Sequence, residues 1–124
     1  MLFLWHFAEI LVAPQTQHVL LNGEENATFF CQAVGANAFW LINNNTVVPE
    51  GNSELIGKGW IFNETLIQGQ QNNIHNLTLM VPPVADFNNT EIRCIGAIHD
   101  PAYSDTVFLI IKGAYLLIVH SHAE

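Results

Sequence analysis

Two cysteines, Cys31 and Cys94, are the only ones in the chain, and they constrain what it can fold into more than any other feature. Their spacing is not C-x-x-C and there is no third or fourth cysteine, which argues against a zinc knuckle and against a thioredoxin-type redox motif. A single long-range disulfide is the better reading. In the chain-entropy model a bridge closing a loop of that length stabilises a fold by about 4 kcal/mol, a large share of the stability of a small domain. Such bonds persist in oxidising compartments. At 124 residues, the chain has room for one such domain and one core.

A second signal points to the same compartment. N-x-[ST] sequons stand at Asn26, Asn44, Asn63, Asn76 and Asn88, none with proline in the middle. From the thirteen asparagines and ten serines and threonines of the chain, random placement yields only about one. N-glycosylation belongs to the secretory pathway, so in a eukaryotic source the five sites predict an extracellular or secreted protein. Half of the residues are hydrophobic and 11% are charged, with a net charge of -8 from three Lys+Arg and eleven Asp+Glu. That composition excludes a disordered tail and leaves no cationic surface for phosphates, so nucleic acid is not an expected partner.

The ends read differently from the middle. Residues 1–13 are apolar but lack a basic n-region and contain His6 and Glu9; they read as either a weak signal peptide or the remnant of an incomplete gene model. Residues 114–124 form an apolar then polar tail. Even joined to Val107–Ile111, and interrupted by Lys112 and Gly113, the apolar run falls short of the roughly 20 residues a membrane span needs. No transmembrane segment is expected, and the domain is placed at 14–113.

Between the ends, short runs rich in Val, Ile, Phe and Thr alternate with turn clusters such as Leu21-Asn22-Gly23-Glu24, Asn43-Asn44-Asn45 and Gln68-Gly69-Gln70. Helix signals are weak, and turns every 8 to 12 residues predict an all-β sandwich or a small barrel. The period of two places Ala27, Phe29, Cys31 and Ala33 on one face of their strand, with Thr28, Phe30 and Gln32 opposite. By the same parity Trp40 and Ile42, Leu77 and Leu79, and Ile92 and Cys94 point inward, while Phe39, Leu41, Glu91 and Arg93 point out.

A strand containing Cys31, a tryptophan at Trp40, an L-x-L strand at Leu77 and Leu79, and a second cysteine at Cys94 together resemble the immunoglobulin-domain signature. The resemblance implies an antiparallel β-sandwich with one inter-sheet disulfide, Cys31–Cys94, joining strands B and F, with Trp40 of strand C packed on it and Leu77, Leu79 and Ile92 in the core. Pro14 to Leu21 match strand A, Gly23 to Ala33 the A-to-B turn and strand B, and Val107 to Gly113 strand G. The interval from Trp40 to Leu77 has room for a C′ strand and strand D, which places the resemblance with the V-like or intermediate sets. The chain departs from the pattern at Ile92, where the family's tyrosine corner would stand; a hydrogen bond to the E-to-F connection goes with it.

On this template Asn26, Asn63 and Asn76 fall on one sheet, which would carry sugar. The outward residues of strands C, F and G, namely Phe39, Leu41, Arg93, Ile95, Phe108 and Ile110, make the other sheet a candidate protein-binding face, the face that V-like relatives commonly use. The F-to-G connection, with His99, Asp100 and Tyr103, is a second candidate for partner contact. Catalytic motifs are missing: Ser104, Asp105 and His99 are close in sequence with nothing to orient them, and Gly57-Lys58-Gly59 lacks a phosphate-binding loop. His120 and His122 would share one face of a strand and could ligate a metal with Glu124, but two histidines in a terminal tail read as solvated, and Glu50 and Glu54 lack the flanking pattern of a divalent-metal site, so no cofactor or metal is expected. The expected function is an extracellular recognition or adhesion module, homophilic or heterophilic, and not an enzyme. The alternatives are a structural domain of a tandem immunoglobulin array or a fragment of a cell-surface receptor.

Overall fold

The structure, a computed structural model, describes residues 7–49, 53–68 and 73–113. Ten strands follow in chain order: β1 (Glu9–Val12), β2 (Gln17–Leu20), β3 (Ala27–Gly35), β4 (Asn37–Ile42), β5 (Thr46–Val48), β6 (Ile61–Ile67), β7 (Asn73–Val81), β8 (Thr90–Ala97), β9 (Pro101–Tyr103) and β10 (Val107–Lys112). One short helix, α1 (Ser53–Gly57), and a 3₁₀ turn at Ala85–Phe87 complete the described elements. One sheet has the order β1-β3-β7-β6, and the other β2-β10-β8-β4-β5, with β9 added beside β8.

Alternation decides what lies between the sheets. Phe29, Cys31, Trp40, Leu77, Leu79, Ile92, Cys94 and Leu109 are all fully buried in one cluster. The Cys31–Cys94 disulfide joins β3 to β8, one strand from each sheet, with its Cα atoms 6.4 Å apart. Trp40 stands opposite Cys94 in the β4–β8 ladder. A second tryptophan, Trp60, extends the core, its ring edge-on to Phe87 at 5.3 Å between centroids. It closes the end of the sandwich below α1, where the sequence pattern carries no periodicity to announce it.

The sandwich is antiparallel with one exception. Pro14, which has no N–H to offer a ladder, is buried between β1 and β2. The chain changes sheets there: β1 pairs with β3, while β2 pairs in parallel with β10, Gln17 opposite Leu109 through Leu20 opposite Lys112. The first strand therefore lies at Glu9–Val12, inside the segment that the sequence sets apart as residues 1–13, and the domain includes it. The apolar-to-polar tail, 114–124, lies outside the described residues, as do Glu50, His120, His122 and Glu124.

The missing tyrosine corner is replaced locally. Ile92 is buried in the core, and the connection from β7 to β8 is held by other groups. The Thr90 hydroxyl donates to the Phe87 carbonyl at 2.6 Å, the Asn89 N–H to the Leu109 carbonyl at 2.7 Å, and the Ile111 N–H to Asn88 Oδ1 at 2.7 Å. Three polar contacts thus fasten this connection to itself and to β10.

Candidate functional site

The outer face of the β2-β10-β8-β4-β5 sheet is built in rows by strand register. In one row Phe39 of β4, Ile95 of β8 and Tyr103 of β9 stand side by side. In the next, Val47 of β5, Leu41 of β4 and Arg93 of β8 do the same. Tyr103 is 51% exposed, and the Arg93 guanidinium lies over its ring, 5.4 Å from the centroid, in cation–π geometry. Arg93 Nε is buried and makes no hydrogen bond among the described residues. Phe108 of β10 is 39% exposed on the same face, and Ile110, opposite His18, is half-buried.

One member of the expected set is not on the surface. Parity turns Ile95 outward, but it is only 3% exposed because Phe39 flanks it on one side and Tyr103 on the other. It sits between these two side chains and offers nothing to a partner. Phe39 and Leu41 are half-buried by their neighbours in the same way. The most exposed of the expected residues on this face is therefore Tyr103, with Arg93 over its ring.

The F-to-G connection is more ordered than a loop. Ala97 pairs with Pro101 and Gly96 with Ala102, so β9 continues the hairpin, with His99 and Asp100 exposed at its tip. Between β9 and β10 the chain steps out of the ladder at Ser104. Its N–H donates to the Cys94 carbonyl, its hydroxyl accepts from the Cys94 N–H at 2.9 Å, and that hydroxyl donates to the Asp105 carbonyl at 3.0 Å. Ser104 is buried and bound to backbone, and no triad with His99 and Asp105 is assembled.

The sequons divide by environment. Asn63 on β6 and Asn76 on β7 lie on the outer face of the β1-β3-β7-β6 sheet, and Asn26 precedes β3 at its edge. Asn44 sits exposed in the tight turn between β4 and β5 at φ 61°, beside Asn43, whose Oδ1 accepts from the Glu91 N–H. Asn88 is half-buried in the connection described above. The sheet read from sequence as sugar-bearing is itself apolar: Phe30, Ile61 and Ile67 are between 42% and 47% exposed. The two outer faces thus differ less in hydrophobicity than alternation of the C, F and G strands alone implies.

Sequence reasoning passed over His75. It shares the inward parity of Leu77 and Leu79, and at 4% exposure it is the one buried histidine among the described residues. Its Nε2 is hydrogen-bonded to the Gly35 carbonyl at 3.0 Å and its Nδ1 to the Glu64 carboxylate, so a polar ring in the interior is satisfied from both sides. The arrangement ties edge strand β6 to the end of β3. No group of three or more metal-ligating side chains occurs among the described residues, and none of their helices is long and apolar enough to cross a membrane.

No protein-family model and no curated protein sequence matches the chain. Solved structures do. A structure of the tandem Ig repeats of Dlar superposes with a TM-score of 0.52 at 21% identity over 86% of this chain, and a structure of Rst D1-D2 with a TM-score of 0.54 at 14% identity over the same share. In both cases the chain spans 49% of the other's length, about half. With the inter-sheet Cys31–Cys94 bridge, the buried Trp40 beside it and two sheets in this strand order, the chain has the immunoglobulin fold.

Proposed function

We propose that this domain is an extracellular recognition module that binds a protein partner through the outer face of the β2-β10-β8-β4-β5 sheet, with the tip of the β8–β9 hairpin at its rim. The observation that carries this reading is Tyr103, 51% exposed on β9, with the Arg93 guanidinium over its ring and Ile95 beside it in the ladder. Tyrosine and arginine are both enriched among the residues that dominate interface energies, and tyrosine brings a large contact area at low conformational-entropy cost. The disulfide and the five sequons support the extracellular setting.

Sedimentation velocity on the glycosylated chain, across a wide concentration range, separates homophilic from heterophilic binding. Reversible dimerisation that is weakened by Tyr103→Ala and by Phe39→Asp, both in folded variants, is the expected homophilic outcome. Loss of a tyrosine at an interface centre costs about 2 kcal/mol or more, a thirtyfold change in affinity. Association that survives both substitutions removes this face from consideration. A second reading, a structural domain within a tandem array, is favoured by the span of about half of each solved structure it resembles. A longer protein in which this face is covered by an adjoining domain would establish it.

A further inference from the structure

Two of the five sequons meet each other across a pair of strands. In the β6–β7 ladder Asn63 lies opposite Thr78, and Thr65 lies opposite Asn76. The segments Asn63-Glu64-Thr65 and Asn76-Leu77-Thr78 are therefore paired in register, antiparallel, with the asparagine of each facing the threonine of the other. The period of two holds these four residues on the outer face while Glu64 and Leu77 turn inward. The asparagines are diagonal neighbours, roughly 7–8 Å apart.

Their surroundings are apolar. Phe30 of β3 stands opposite Thr78 on the side away from Asn63, and Gln32 stands opposite Asn76, its Nε2 donating to Asn76 Oδ1 at 2.9 Å. Ile61, two residues from Asn63 on the same face of β6, is 45% exposed and Phe30 is 42% exposed. Phe30 and Ile61 thus set exposed apolar surface directly beside the paired sequons.

We propose that Asn63 and Asn76 are both N-glycosylated and that their first sugars lie on Phe30 and Ile61, closing the β1-β3-β7-β6 face to protein partners. The inference rests on the extracellular reading above. The cover is rooted at the patch itself: both attachment sites are on paired strands, beside the residues to be covered. The ring of N-acetylglucosamine presents C–H groups on one face and carries an acetamido methyl, which pack on an aromatic ring while its hydroxyls stay in water. The Gln32 bond engages the Asn76 amide through its oxygen, which orients the nitrogen that bears the sugar.

Glycopeptide mass mapping of the full chain secreted from eukaryotic cells is the first half of the test, with Asn63 and Asn76 both occupied as the expected result. The second half is sedimentation velocity and hydrophobic-dye binding, before and after enzymatic removal of the glycans from the folded protein. The same measurements on an Asn63→Gln/Asn76→Gln variant control for the aspartates that enzymatic removal leaves behind. Removal is expected to raise dye binding and to tighten self-association about tenfold or more, the effect of burying one further aromatic side chain. Adding Phe30→Ser to the glycan-free protein is expected to abolish that gain. Sugar on Asn26 or Asn44 with Asn63 or Asn76 bare overturns this proposal alone, whereas five bare sequons overturn the extracellular reading with it. Two occupied sites whose removal changes neither association nor dye binding overturn the cover.

Discussion

At the scale of single residues, two glycines give opposite forecasts from the same substitution. A Cβ built on Gly96 meets the Val34 carbonyl oxygen at 2.7 Å, backbone against backbone where β8 passes the end of β3. Neither strand can give way cheaply, so Gly96→Ala is expected to lower unfolding free energy by about 1–3 kcal/mol. A Cβ on Gly57, at the end of α1, meets nothing within 4 Å. Gly57→Ala is expected to gain about 0.4–1 kcal/mol, chiefly by restricting the unfolded chain. Denaturant midpoints read both, with an unchanged m-value marking an effect on stability alone. A fall of the same size in the two variants would contradict the close approach at Gly96.

At the scale of elements, the connection between β7 and β8 separates what asparagine does as a hydrogen-bond acceptor from what it does in a sequon. Asn88→Asp keeps an acceptor for the Ile111 N–H and destroys the sequon; Asn88→Ala destroys both. The aspartate variant is expected to match the unglycosylated parent in thermal unfolding, and the alanine variant to lose about 1 kcal/mol, more where the Ile111 N–H stays dry. Elements were legible in the sequence wherever one side of a strand is core. Alternation alone aligned Phe29, Cys31, Leu77, Leu79, Ile92 and Cys94, because a one-residue slip would have exposed every one of them. It was silent at Trp60, which is buried by tertiary packing at the end of the sandwich, and it missed the parallel β2–β10 pair, because register between distant strands leaves no mark on either. Ile95 shows the limit of parity: a residue on an outer face can still be buried by the rings beside it.

At the scale of the whole molecule, two outer faces of similar hydrophobicity acquire different proposed roles from what is placed on them. One carries paired sequons on its edge strand β6 and the adjoining β7; the other carries a tyrosine with an arginine over its ring and the tip of a hairpin. Loading is the remaining whole-molecule consequence, and it follows from the change of sheet at Pro14. Because β2 and β10 run parallel side by side, the chain enters their ladder at one pole of the domain and leaves at the other. Tension applied through residues 13 and 113 drags the two strands past each other along their length, so all their hydrogen bonds resist together. Tension that peels β5 from the sheet edge opens its bonds one after another. Force spectroscopy is therefore expected to find the domain far stronger between its ends than across that edge, with the unfolding rate as the governing quantity.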